Sequence, residues 1–222
     1  MFDFIKVKAI GVTQPLVDFI PDSEGIISYT ARVSNPNNQI NFDTADKLLG
    51  YCAKHAHWSI FETCSLTMEI EAPRDICRQI LRHRSFSFQE FSQRYAEATD
   101  FCYREARLQD HSNRQNSIKA PTETEDDKFL ISEWERRQAE LLELVKWHYE
   151  WAINCGIAKE VARTLLPEGL TMSKMYMQGS VRSWMHYIQL RSENGTQLEH
   201  QDVALKCKEE FIKLFPSLEK YV

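Results

Sequence analysis

Glycine is scarce in this 222-residue chain, and its seven glycines (Gly11, Gly25, Gly50, Gly156, Gly169, Gly179, Gly195) never fall close enough together for G-x-G-x-x-G or a P-loop. Any dinucleotide must therefore be held by side chains and helix ends. No G-x-S-x-G elbow and no H-E-x-x-H pair occurs, which removes two common hydrolase signatures. The six cysteines (Cys52, Cys64, Cys77, Cys102, Cys155, Cys207) include no C-x-x-C pair. They read as small, reduced, buried residues, with neither a disulfide frame nor a metal site. Positive charge is in deficit overall, the formal net charge being −5, which argues against nucleic acid as a partner. Asp3, Lys6 and Lys8 interrupt the apolar residues of Met1 to Val12, and no later run approaches a membrane span. The expectation is a cytoplasmic protein with no membrane partner.

What is present is an ordinary globular composition, 43% hydrophobic and 27% charged, of a length that suits one domain over residues 1–222. Ile and Val between Phe4 and Val12 suggest a strand. From Asp43 or Thr44 an amphipathic helix is expected to run to about His57. Cys64, Leu66, Met68 and Ile70 alternate with polar neighbours, the pattern of a half-buried and antiparallel strand. Pro73 and Asp75 then start a helix with Ile76, Cys77, Ile80 and Leu81 on its buried face. Residues 96–125 lose periodicity and read as a long variable loop. A long helix over Asp126 to Cys155 is expected to carry Leu130, Trp134, Leu141, Val145, Tyr149 and Ala152 on one side, with Trp147, Tyr149 and Trp151 mostly in the core. Helices over Ile157–Leu166, Ser180–Leu190 and Thr196–Phe215 follow, with an extended segment at Ser173–Gly179. The fold class is α+β, or mixed α/β: a single domain with a central, largely antiparallel sheet and several long helices.

Charge is concentrated between Ala72 and Tyr95. Arg74, Arg78, Arg82, Arg84 and Arg94 there outnumber Asp75 and Glu90 by three. Like charges this dense call for an anion to relieve them. Arg74, Arg78 and Arg82 recur on one helix face, which must meet solvent, a partner or a ligand. On charge alone a solvated basic helix end is the better reading of Arg82-His83-Arg84. Ser85, Ser87, Gln89, Glu90, Ser92 and Arg94 beside Phe86, Phe88 and Phe91 shift the balance towards a binding pocket.

Arg82-His83-Arg84, seven residues and then Ser92, with Glu90 and Gln93-Arg94-Tyr95, resembles the signature of the flavin-dependent thymidylate synthases. Ala31-Arg32-Val33-Ser34, His55 to Glu62, Glu160-Val161-Ala162-Arg163, Arg182 to His186 and Leu190-Arg191 resemble further blocks in the family order. The resemblance implies reductive methylation of dUMP to dTMP by a homotetramer with active sites at its subunit interfaces. FAD is the implied cofactor, with NADPH and 5,10-methylenetetrahydrofolate as co-substrates. It places Gln79, Ile80, Leu81, Arg82, Glu90, Phe91, Ser92, Gln93, Arg94, Arg163 and Arg191 at dUMP, with Arg191 catalytic. His57, Ser59, Arg82, His83, Arg84, Glu90, Ser180, Arg182 and His186 would meet FAD. Ser180 and Gly195-Thr196 depart from the family pattern.

Plainer roles stand beside these. Arg191 could pair with Glu193 or Glu199, Arg163 could pair with Glu160 at i, i+3, and His57 could cap its helix. Cys64 and Cys77 lie on faces expected to be buried and are not nucleophiles. The alternative to an enzyme is a non-catalytic module whose arginine cluster grips a nucleotide or RNA.

Overall fold

A computed structural model describes residues 1–222. Its centre is a four-stranded sheet of β1 (Lys6–Val12), β2 (Ser65–Pro73), β6 (Met172–Ser180) and β3 (Ser87–Glu90), in that spatial order, with every neighbouring pair antiparallel. β2 and β6 pair over nine residues, from Ser65 opposite Ser180 to Pro73 opposite Met172. The alternation read in β2 is realised: Leu66, Met68 and Ile70 are fully buried and the residues between them half-exposed. The expected mixed α/β class with an antiparallel sheet is therefore observed.

Helices α1 (Ser23–Ala31), α2 (Ala45–Lys54), α6 (Val181–Ser192) and α7 (Leu198–Leu214) bury a core of 27 residues with this sheet. Trp184 on α6 is fully buried and donates its indole N–H to the Leu66 carbonyl at 2.9 Å, which fixes the helix to β2. α7 shields the outer strand: Asp202 accepts from the backbone N–H of Phe2 at 2.7 Å, and Glu210 from that of Ala9 at 3.0 Å. Glu210 thus satisfies an N–H that the sheet edge would leave open at Ala9, and Asp202 anchors the segment that leads into β1.

Several expectations are corrected. Residues 96–125 are not a loop throughout, because β4 (Arg107–Gln109) and β5 (Ser117–Lys119) form a hairpin and Phe101 bridges to Thr171. The long helix α4 (Glu125–Asn154) opens with a capping box in which Thr124 and Asp127 satisfy each other's backbone N–H. Its buried residues are Gln138, Leu142, Val145, Tyr149 and Ala152, while Leu130, Trp134 and Leu141 stay exposed. Trp147 and Trp151 are also exposed, at 62% and 54%. The N-terminal half of the helix docks through polar groups, since Trp134 Nε1 and Gln138 Nε2 both donate to the Arg104 carbonyl, and the C-terminal half through Tyr149 and Ala152 against Ala162. The expected helix over Ile157–Leu166 contracts to α5 (Lys159–Ala162) and one 3₁₀ turn. Cys155 is exposed, whereas the other five cysteines are buried.

Gly179 sits where a strand meets an aromatic ring. A Cβ there would lie 2.5 Å from Phe86 Cδ1, and Phe86 is itself wedged edge-on against Trp184, ring centroids 4.9 Å apart. Gly179→Ala is expected to cost about 1–3 kcal/mol by overpacking. Urea unfolding checks this, and an unchanged midpoint would show that the ring has room to move.

Candidate active site

Helix α3 (Arg74–Ile80) follows β2 directly, with Pro73 at its N-cap and Ile76, Cys77 and Ile80 fully buried as expected. Burial raises the Cys77 thiol to about 12 and that of Cys64 to about 11, so neither supplies a thiolate near neutrality. The arginine row does not face outward as a set. Arg74 is 9% exposed and lies 3.8 Å from Glu90 and 3.4 Å from Glu168. Arg78 also donates to Glu90, and Ser173 Oγ on β6 adds a hydrogen bond at 3.0 Å. Glu90 is thus an internal anion for two of the five arginines, and it ties α3 to β3 and β6.

Beyond α3 the three consecutive basic residues diverge. Arg82 and Arg84 are exposed, and no carboxylate pairs with either. His83 turns inward, 4.9 Å edge-on from the Tyr187 ring, and its Nε2 lies 3.0 Å from Arg191 Nε. Guanidinium nitrogens only donate, so His83 must accept at Nε2 and carry its proton on Nδ1. Burial first, then the neighbouring Arg191 and Arg82, push its pKa down to about 4. Neither Glu193 nor Glu199 pairs with Arg191, because Glu199 receives Arg107 and lies 3.0 Å from Arg104. Burial alone would raise the Glu199 pKa, but these two arginines hold it below the usual carboxylate range. Arg191 is therefore a half-buried cation whose one polar partner is a neutral ring.

Gln79 reaches two residues that the sequence reading missed: it donates to Gln197 at 2.7 Å and accepts from His200 at 3.3 Å. Neither had a signal in the sequence, since they lie 118 and 121 residues further on. Ile80 and Leu81 beside it are packing residues, the first fully buried and the second half-buried.

A second group forms around His57. Helix α2 ends at Lys54 instead of His57, because Ala56 adopts φ +58° and reverses the chain. The turn closes when the N–H groups of Ala56 and His57 bond the Ala53 and Cys52 carbonyls. His57 is thus no helix cap but an exposed residue leading into the 3₁₀ turn Trp58–Glu62 that carries Ser59. Trp58 packs edge-on against His186, centroids 4.5 Å apart, and Arg182 bonds Glu62 at 2.8 Å. Burial, then Arg182, lowers the His186 pKa. Ser180 caps α6 by accepting from the Ser183 N–H at 3.2 Å.

Ser92, Gln93 and Arg94 lead elsewhere. Phe91 closes the sheet through its N–H to the Lys174 carbonyl at 2.8 Å, and Ser92 Oγ accepts from the Arg94 N–H at 3.4 Å. Gln93 is 4% exposed with an unpartnered Nε2. Arg94 pairs with Glu160 at 3.2 Å, so Arg163 makes no ion pair there and instead bonds the Glu160 carbonyl at 3.3 Å. No hydrogen bond or ion pair joins this group to His83 and Arg191 within the chain.

Three depressed histidines, His83, His186 and His200, give the protein an acid sensitivity, the two most buried contributing most. His200 is pushed to about 3 by burial, Arg191 and His83, so native His83 and His200 bind fewer protons than unfolded ones below pH 6.5. Stability then rises with pH across that window and falls on acidification. The thermal midpoint is expected to drop between pH 6.5 and 5, above the range in which carboxylates titrate, and less steeply in His200→Asn. A flat profile in the parent protein would contradict the burial of both rings.

The profile of the family described as "Thymidylate synthase complementing protein" matches residues 15–217. A probable flavin-dependent thymidylate synthase of Paramecium bursaria Chlorella virus 1 is 51% identical over 217 residues, covering 97% of this chain and 98% of the relative. The flavin-dependent thymidylate synthase of Synechocystis sp. is 47% identical over 219 residues, covering 96% and 97%. Among solved structures, a UMP/dUMP methylase, PolB from Streptomyces cacaoi, bound with 5-Br dUMP, superposes with a TM-score of 0.78 at 26% identity, covering 98% of this chain and 93% of that one. With the ordered motifs, this sheet and these near full-length matches in agreement, the chain belongs to the flavin-dependent thymidylate synthase family.

Proposed function

We propose that this protein methylates dUMP reductively to dTMP, taking the carbon from 5,10-methylenetetrahydrofolate and reducing equivalents from NADPH. The observation that carries the reading is Arg191, a half-buried guanidinium held at Nε by a neutral His83, with Nη1 and Nη2 uncommitted. Uracil C5 is a weak nucleophile until electron density is pushed into the ring. A fixed cation at the pyrimidine edge stabilises the anion left when N3 loses its proton, and preorganised charge of this kind is worth about 3–4 kcal/mol per donor. Gln79 would hold the base beside it. Ser92, Arg94 and Arg163 would take the phosphate, with Arg82 near both ligands.

The side chains fit a flavin dinucleotide. Arg82 and Arg84 are exposed guanidiniums with no internal carboxylate, matching the negative charge of a diphosphate. His57, Ser59, Arg182 and His186 add donors around Trp58, and Ser180 opens the 12-residue helix α6, whose N-terminus favours anions. Bound FAD would supply the hydride transfer that reductive methylation needs. The Arg94–Arg163 group and the His83–Arg191 group are unconnected within the chain. A homotetramer that sets one beside the other across a subunit interface accounts for that separation. No helix is long and apolar enough to cross a membrane, and we place the enzyme in the cytoplasm.

Tritium release from 5-tritiated dUMP, with FAD, NADPH and methylenetetrahydrofolate present, tests the activity. Arg191→Ala is expected to retain FAD and lose about 10²–10³-fold in turnover, while Ser92→Ala loses less. Strong salt-dependent binding of single-stranded RNA without tritium release would favour a nucleic-acid-binding module instead.

A further inference from the structure

Behind the candidate dUMP site runs a chain of hydrogen bonds from buried Tyr187 and His200 through half-buried Gln79 and Gln197 to buried Glu199. Glu199, fully buried and held ionised by Arg104 and Arg107, can only accept. It lies 3.1 Å from Gln197 Nε2, which turns Gln197 Oε1 towards Gln79. Gln79 must then donate through Nε2, at 2.7 Å, and so presents Oε1 to His200 Nδ1 at 3.3 Å. His200 can meet that oxygen only with a proton on Nδ1, which leaves Nε2 to accept from the Tyr187 hydroxyl at 3.2 Å. Every donor points the same way, from Tyr187 to Glu199. One carboxylate therefore sets both amide orientations and the histidine tautomer. With the proton on Nε2, His200 would oppose two lone pairs to each other at Gln79.

We propose that His200, backed by Tyr187, is a positioning residue that locks the Gln79 amide in one orientation and so tunes the site to a uracil nucleotide over a cytosine nucleotide. Rotating an amide by half a turn exchanges its N–H and C=O. Uracil and cytosine differ in the same sense, because position 4 carries a carbonyl in one and an amine in the other and N3 is a donor in one and an acceptor in the other. Gln79 retains one free N–H and one free lone pair; Glu199, through Gln197, decides which lies where, and the His200 Nδ1–H holds the amide there. His200 is fully buried and Tyr187 is 1% exposed, so water does not take over when the ring is removed. Burial also favours the uncharged form of each: the imidazole falls to about 3 and the phenol rises well above its ordinary range.

This inference rests on the reading of Gln79 as a dUMP-binding residue, and its test separates the two. Affinity for dUMP and for dCMP is measured calorimetrically on the full chain saturated with FAD, for the parent, His200→Leu, His200→Asn and Tyr187→Phe. The Asn amide can reproduce the Nδ1–H donor. His200→Leu is expected to weaken dUMP binding about tenfold and to narrow the preference for dUMP over dCMP. His200→Asn should restore both to within about threefold, and Tyr187→Phe should lie between. The nitrogen-15 shifts of His200 in the parent should report Nδ1–H and an accepting Nε2. Unchanged dUMP affinity and preference in a folded His200→Leu would overturn the proposal, as would an Nε2–H tautomer. A parent that binds no dUMP would overturn the functional reading itself.

Discussion

Five arginines within 21 residues cannot all face one pocket, and the fold resolves this through Glu90. That carboxylate receives Arg74 and Arg78 from α3 and Ser173 from β6 while standing on β3. It thereby meets the charge of Arg74 and Arg78 internally, as Glu160 meets that of Arg94, and leaves Arg82 and Arg84 with no carboxylate partner. The side chains of Arg74 and Glu90 are 10% and 14% exposed, where removing one partner leaves a costly uncompensated charge. The pair therefore belongs to the framework. The free guanidiniums of Arg82 and Arg84 are the ones proposed to meet the flavin.

The second constraint is electrical neutrality at His83. A histidine flanked by Arg82, Arg84 and Arg191 stays uncharged because burial and its neighbours oppose the proton. Its accepting nitrogen is what keeps Arg191 in place. Arginines without carboxylate partners are a common way to bind anionic or electron-rich ligands, but they need a scaffold that does not cancel their charge. A neutral imidazole provides orientation without cancellation. A carboxylate in its place would hold Arg191 as firmly and spend its charge.

The sequence showed the sheet centre well, because β2 alternates strictly and its register with β6 follows from one buried face. The β4–β5 hairpin escaped notice because each strand has three residues and a single apolar side chain, Leu108 or Ile118. The exposed tryptophans of α4 were misjudged, since helical spacing does not reveal that this helix docks through Gln138 and the Trp134 N–H in one half and Tyr149 and Ala152 in the other. Within the site, the contiguous triplet from Arg82 to Arg84 and its seven-residue spacer were readable as a motif. Glu90 as an internal counter-ion, Glu62 beside Arg182, and the chain from Tyr187 to Glu199 were not, because each depends on side chains brought together from distant elements. The reversal at Ala56 was hidden too, as positive φ is uncommon outside glycine.

The partition made by Glu90 is tested most directly by comparing Arg82→Met with Arg78→Met for two quantities in the same preparations, visible flavin absorbance and thermal midpoint. Arg82→Met is expected to purify with little flavin and to match the midpoint of the flavin-stripped parent, whereas Arg78→Met keeps its flavin and melts earlier than the flavin-loaded parent. Flavin lost from Arg78→Met but retained by Arg82→Met would contradict the partition.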